Sequence, residues 1–182
     1  MNDQTERALD GYLIALIRGG SREAFDRLAR RWTPKLVRYA TRVLGHPDVA
    51  RDAVQETWIG VIRGLSRLDD AAQFPAWIYG IAHRKCVDGI RLAQRQRRLI
   101  SSVEQDCAAN ASDSQRRAEP GDAGDVSAFV AQLGQEHREV VHLFYTEDLS
   151  IVDIASILGV PVGTVKSRLH HARESLKKHL GE

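Results

Sequence analysis

Residues 101–125, SSVEQDCAANASDSQRRAEPGDAGD, hold a single aliphatic side chain larger than alanine, Val103, in 25 positions. A stretch with so little to bury cannot offset the entropy of ordering its backbone, so it predicts a flexible linker rather than part of a core. The 182-residue chain is thereby divided into two bodies, 1–100 and 126–182, each long enough for a small domain. Charge follows the same division. The spacer carries six acids against two arginines, a net of −4, whereas residues 84–98 carry six bases against one acid (+5) and residues 161–179 five against one (+4). A formal total of only +2 therefore hides two basic segments on either side of an acidic one, the footprint expected of a chain that meets a polyanion at two places.

The second basic segment belongs to SIVDIASILGVPVGTVKSRLHHARESLKK, residues 150–178. Ser150 can accept a hydrogen bond from a free amide of a first helical turn, and Asp153 three residues on completes a capping box. Ile151, Ile154, Ala155 and Leu158 make one apolar stripe. Gly159 supplies the backbone freedom that ends the helix, and Pro161 cannot continue it but suits the start of the next. Val162, Val165, Leu169, Ala172 and Leu176 then recur at spacings of three and four and share a face. The opposite face and its flanks carry Gly163, Thr164, Lys166, Ser167, His170 and His171. Two helices joined by a tight, chemically specified turn, the second basic on its outer side, constitute a helix-turn-helix.

The remaining patterns are helical too, and no stretch alternates as a half-buried strand does. Ser21 can cap a helix with Ala24, Phe25 and Leu28 inward; a helix through Trp32, Leu36, Val37, Tyr39 and Ala40 follows, ending near Gly45. Asp48 can cap a helix from Val49 to about Leu65, with Ala53, Val54, Trp58, Ile59 and Ile62 inward. After the short loop SRLDDAAQF, a helix is expected from Pro75 to about Arg98, with Phe74 and Trp77 facing the core and Tyr79 the more exposed ring. Val126 to Leu133 and Glu136 to Phe144 supply two more helices. The fold class is all-α: two small helical domains joined by a flexible acidic linker.

No apolar run reaches the 18 or so residues that span a bilayer, and the first 20 residues carry acids and lack a signal-type apolar core, so direct membrane insertion is not expected and a cytoplasmic location is. Cys86 and Cys107 have no metal-ligand spacing with a histidine pair and read as reduced, incidental thiols. The seven histidines are scattered, no glycine-rich phosphate loop occurs, and the carboxylates track helix surfaces, so neither a catalytic residue, a cofactor nor a metal is expected.

Taken in order, GGSREAF with Leu28, then Asp52, Gln55 and Glu56 followed by Trp58, then AWIYGIA with Asp88 and Arg91, and across the spacer Leu133, Arg138 and Val140 followed by IASILGVPVGTVKSRL, AR and Leu176, closely resemble a bacterial RNA polymerase sigma factor of the extracytoplasmic-function class. The likeness runs from Gly20 to Leu180, outside the spacer. It implies sigma region 2 in 1–100, the linker in 101–125 and sigma region 4 in 126–182. It also implies a dissociable, non-catalytic subunit that joins core RNA polymerase, brings it to minus-ten and minus-thirty-five promoter elements, and helps open the duplex.

Residue roles follow from the same likeness. Asp52, Gln55 and Glu56 would meet the clamp helices of the largest polymerase subunit, while the region 4 module would meet the flap. Gly64, Leu68 and Asp69 would border the pocket for a flipped minus-ten base, with Tyr79 as a stacking ring. Arg84 stands where asparagine is frequent in the family, so the base read there should differ. Lys85, Arg91, Arg95 and Arg98 suit phosphates, which position the duplex without specifying sequence. Lys166, Ser167, His170 and His171 would enter the minus-thirty-five groove, with Thr164 and Arg168 on phosphates at its edge. Histidine at 171 replaces a common arginine and cannot grip guanine through two bonds. Partners implied are double- and single-stranded promoter DNA and an anti-sigma factor, which could hold the chain at the inner membrane. The 25 residues of the spacer reach roughly 80–90 Å when extended, enough for promoter elements about 70 Å apart. The rival reading is a helix-turn-helix repressor or activator whose front domain senses a ligand, and which acts without being a polymerase subunit.

Overall fold

The computed structural model describes residues 3–104, 130 and 133–180. Among them every regular element is helical. The linker beyond residue 104, Cys107, and all of the expected 126–133 helix except Val130 and Leu133 lie outside the described residues.

The front module has four helices. α1 (Asp3–Arg18) precedes the segments read as helical from sequence. It is anchored by charge: Asp10, 2% exposed, lies 2.9 Å from the Arg31 guanidinium, and Glu6 pairs with Arg31 at 3.0 Å and Lys35 at 3.3 Å. α2 (Arg22–Leu44) is one continuous helix where two were expected. Ser21 does cap it, accepting from the Ala24 amide at 3.2 Å, and Pro34 sits inside it on an exposed side. A proline there removes one intrahelical bond, but Leu28, Trp32, Leu36, Tyr39 and Val43, all buried, form one unbroken stripe that carries the helix across.

α3 (Pro47–Gly64) begins with His46 at the cap and Pro47 in the first turn, not with Asp48, whose carboxylate instead pairs with Arg51 at 2.7 Å. Proline needs no amide partner at a first helical position, so it takes the start. The inward face of α3 is Ala50, Ala53, Val54, Thr57 and Val61, with Trp58 half-buried and its Nε1 donating to Thr33 Oγ1 at 3.0 Å. Ile59 and Ile62, expected inward, are 39% and 64% exposed. Two glycines explain the difference. A Cβ on Gly60 would lie 3.0 Å from Ile81 Cγ2, and one on Gly64 2.9 Å from Trp77 Cζ2. Their missing side chains let α4 (Phe74–Glu104) approach the Gly60–Gly64 flank, turning Ile59 and Ile62 outward.

Two 3-10 turns, Leu65–Arg67 and Ala71–Gln73, join α3 to α4. α4 extends past Arg98 into the start of the stretch read as linker. Its first turns enter an aromatic core in which Trp32 meets Phe74 and Tyr79 edge-on at 5.3 and 5.9 Å, and Tyr39 meets Tyr79 at 5.2 Å. Phe74 and Tyr79 have no exposed surface and Cys86 is a buried free thiol.

The back module comprises α5 (Gln135–Val141), continued by a wide turn over His142–Thr146, then α6 (Ile151–Leu158) and α7 (Val162–Leu180). Ser150 Oγ accepts from the Asp153 amide at 3.1 Å and donates to the Asp153 carboxylate at 2.7 Å. Gly159 adopts a left-handed φ of 64°, which a side chain would resist. Ile154, Ala155, Ile157, Val165, Leu169 and Ala172 form the core between α6 and α7.

The two modules touch. α6 packs on α4, and α5 lies against α2.

Candidate nucleic-acid interface

Two basic surfaces emerge, one per module. On the second half of α4, Arg91, Arg95, Arg97 and Arg98 are exposed, since the helix has left the core by Leu92, itself 57% exposed. Arg84 is exposed as well. Lys85 is half-buried and pairs with Glu56 of α3 at 3.2 Å, while Arg91 has Asp88 at 4.0 Å. A row of guanidiniums at helical spacing on a protruding helix can meet successive phosphates along a backbone.

On α7, Lys166, Ser167, His170 and His171 are exposed together. The buried Val165, Leu169 and Ala172 occupy the opposite side of the same helix, so the polar residues are turned outward as the periodicity requires. Ser167 Oγ donates to the Thr164 carbonyl at 3.0 Å, which fixes the hydroxyl toward the first turn. Arg168, in contrast, is drawn back: its guanidinium lies 2.5 Å from Glu136 of α5. It therefore steadies α7 on α5 in this conformation instead of lining the groove-facing side. His171 has His137 edge-on at 6.3 Å.

Asp52, Gln55 and Glu56 are exposed on one side of α3, opposite Ala53, Val54 and Thr57. They form the polar patch expected of them, with Glu56 tied to Lys85.

The loop residues separate. Asp69 is exposed, whereas Leu68 is 7% exposed and its carbonyl accepts from the Arg18 guanidinium of α1. Gly64 faces the Trp77 ring. Leu68 and Gly64 thus support the loop from within and leave Asp69 on its surface. Tyr79 requires a correction: read as an exposed stacking ring, it has no exposed surface. Burial, and next the negative charge of Glu147, hold its hydroxyl far above the ordinary range of a phenol. Enclosed by Trp32 and Tyr39, it cannot receive a base.

Sequence reasoning missed the polar seam between the modules. Tyr39 Oη donates to Glu139 Oε1 at 2.5 Å, His83 Nδ1 lies 2.9 Å from the same oxygen and 3.0 Å from Tyr39 Oη. Alongside, the Arg42 guanidinium donates to His142 Nδ1, whose ring stacks on Tyr39 at 6.2 Å. Gln135 Nε2 donates to the Val43 carbonyl at 3.0 Å. Burial first, then the positive charges of Arg42 and Arg38, push His142 from 6.5 down to about 3, so its imidazole is neutral at physiological pH.

Among the described residues, no cluster of histidine, cysteine and carboxylate side chains could hold a metal ion, and no helix is long and apolar enough to cross a membrane.

Comparison with known proteins bears on both modules. The family model for Sigma-70 region 2 matches residues 28–96, and that for Sigma-70, region 4 matches residues 124–176. The chain is similar to the ECF RNA polymerase sigma factor SigW of Bacillus subtilis, 30% identical over 177 residues covering 92% of this chain and 94% of the relative. It is also similar to RNA polymerase sigma factor CarQ of Myxococcus xanthus, 30% identical with 91% and 94% covered, and to ECF RNA polymerase sigma factor SigL of Mycobacterium tuberculosis, 34% identical with 81% and 83% covered. Two solved structures share the fold. CnrH in complex with the cytosolic domain of CnrY has a TM-score of 0.61 at 24% identity, with 95% of this chain and 97% of that one covered. Sigma factor RpoE with anti-sigma factor NepR from Bartonella quintana has a TM-score of 0.58 at 24% identity, with 86% and 96% covered.

Proposed function

We infer that this chain, which belongs to the extracytoplasmic-function class of the sigma-70 family, directs core RNA polymerase to promoters and aids their opening in transcription initiation. The observation that carries the reading is the pairing of two modules in fixed order, region 2 then region 4, each matched by its own family model and each presenting a basic exposed surface. A repressor needs only one of them. The chain acts as an initiation factor; the nucleotide chemistry belongs to the polymerase.

Asp52, Gln55 and Glu56 are the residues for the polymerase clamp helices, since an exposed acidic patch on a rigid helix favours a basic partner face. The region 4 module meets the flap. Arg84, Lys85, Arg91, Arg95 and Arg98 serve the minus-ten region along α4, and Asp69 marks the loop that borders an extruded base. Lys166, Ser167, His170 and His171 enter the major groove at the minus-thirty-five element, with Thr164 at the groove edge; Arg168 joins them only on release from Glu136. With Tyr79 buried, base capture rests on other groups. Each DNA stacking step broken costs about 1.4 kcal/mol, and an aromatic platform would return about 1–3 kcal/mol per base, so the polymerase itself must supply most of the opening energy. The chain works in the cytoplasm and is held in reserve by an anti-sigma factor, a reading supported by the complexes in which the two structural neighbours were solved.

Capture of the chain by core polymerase, followed by runoff transcription from promoters mapped after forced expression, tests the assignment. A sigma factor binds core and starts transcripts. Tight, salt-resistant DNA binding without core capture would instead establish the repressor reading.

A further inference from the structure

We propose that the contact between the two modules is an autoinhibitory latch, centred on Glu139, that holds the free chain closed and must release before the promoter can be engaged. For its effect on promoters the inference rests on the function just proposed; the closure itself does not.

The first step is dimensional. A compact chain of 182 residues has a radius of gyration of about 16 Å and measures about 40 Å across. Two promoter elements two duplex turns apart lie about 70 Å from each other. With α6 packed on α4 and α5 on α2, one molecule cannot hold both. The conformation described here is therefore incompatible with engaging a whole promoter.

The second step is the chemistry of the seam. One carboxylate oxygen of Glu139 serves both Tyr39 Oη, at 2.5 Å, and His83 Nδ1, at 2.9 Å. These two residues come from α2 and α4, so a single residue of the back module ties down both long helices of the front one. Arg42 to His142 and Gln135 to the Val43 carbonyl extend the row. Charge-assisted bonds of this type are strong while shielded and are readily exchanged for water when parted. A permanent interface would bury a mainly apolar core. Here one end of the seam instead opens into a cleft of about 470 Å³ lined by Arg7, Gln73, Pro75, Phe144, Asp148 and Asp153. Strong local bonds beside loose packing describe a contact built to come apart.

The third step is linkage. Both modules are on one chain, so closure is intramolecular, with an effective concentration on the order of millimolar. A seam too weak to hold two separate proteins together would still keep this chain closed. Core polymerase, by fixing the modules at separate places, replaces closure and releases the latch.

Small-angle scattering and core-free promoter binding of the full chain test the proposal. The wild type should give a radius of gyration of about 16 Å. Glu139→Lys, which places a cation beside His83, should raise it to about 22 Å or more, the value for two modules with centres about 40 Å apart. Glu139→Gln and His83→Gln, milder changes at the same bonds, should lower the closed-to-open ratio about tenfold with unchanged circular dichroism. Promoter binding without polymerase should rise by a similar factor in all three. An extended wild type, variants that stay at the wild-type radius, or variants that open without binding DNA better would each overturn the latch. Runoff transcription by wild type with core polymerase is scored in parallel: its success with a failed latch leaves the sigma-factor reading standing, and its failure removes that reading without altering the scattering result.

Discussion

Lowering the pH from 7.5 to 5.5 tests the seam at His142. This residue is 4% exposed; its Nδ1 accepts from Arg42, which leaves Nε2 to carry the proton 3.5 Å from Glu147. Burial and the charges of Arg42 and Arg38 lower its value from 6.5 to about 3. Parting the modules removes both arginines and admits water, so the open state returns toward 6.5. A base depressed in the closed state stabilises that state fully above 6.5 and gives up the stabilisation as pH falls below it, down to about 3. Between pH 7.5 and 5.5 the closed-to-open ratio should therefore drop about tenfold from this residue alone, ~1.4 kcal/mol. Other groups around it are Arg38, Arg42 and Tyr39 of α2, Glu147 of its own turn and, beyond Tyr39, the His83–Glu139 pair. A protonated His83 strengthens its bond to Glu139 and acts in the opposite direction. The informative quantity is thus the difference between wild type and His142→Asn, which keeps an acceptor for Arg42 but does not titrate. Scattering at the two pH values should show wild type opening about ten times more than the variant. Equal responses would refute the assignment of the pH dependence to His142.

Four further outcomes follow from the surfaces and the packing. Asp52→Lys with Glu56→Lys should cut core-polymerase capture by at least about tenfold and leave core-free DNA binding at or above wild type, as measured by pull-down and gel shift; retained capture would remove these residues from the polymerase face. Lys166→Ala and Ser167→Ala should lower runoff initiation about tenfold without weakening capture, and equal loss in both assays would contradict groove reading. Ser150→Ala deletes the cap of α6 and should cost about 1 kcal/mol, seen as a drop of about 2–4 °C in melting temperature. Gly64→Ala puts a methyl group 2.9 Å from the Trp77 ring and should cost about 1–3 kcal/mol in urea unfolding; an unchanged midpoint would show that the α3–α4 crossing is not glycine-dependent.

Much of the architecture was readable where local chemistry and long-range packing agree. Ser21, Ser150 and Gly159 hold the capping and terminating positions assigned to them, because a cap bond involves residues three apart in sequence and needs nothing from the rest of the fold. Val165, Leu169 and Ala172 turn inward, and Lys166, Ser167, His170 and His171 outward, as the helical period demands. The outward residues of α3 were legible for the same reason. The misreadings share a cause as well. Ile59 and Ile62 look like core by hydrophobicity, yet the helix that could have covered them is drawn to Gly60 and Gly64. An absent side chain leaves no mark in an apolar pattern. Pro34 reads as a break in sequence, and only the continuous burial of Trp32, Leu36 and Tyr39 on one stripe reveals that α2 passes through it.

Tyr79 and the seam failed for a different reason. Periodicity assigns a side chain to a face but does not say what covers that face. Tyr79 lies on the edge of the α4 stripe, next to the basic run, and could equally have been wet or packed; two aromatic rings from α2, Trp32 and Tyr39, decide the matter. Tyr39 in turn bonds Glu139, 100 positions away, and His83 joins them from α4. Glutamate, histidine and arginine at 139, 142 and 42 each look like solvated surface when read in their own helices, because a buried polar residue is tolerable only when its partners converge on it, and here the partners come from three helices. Residues suited to both water and each other are what a reversible contact needs. A seam made of isoleucine and leucine would have been visible in the sequence as excess apolar surface on two modules, and would not open. The polarity that hid this contact from sequence reading is the same property that lets it release.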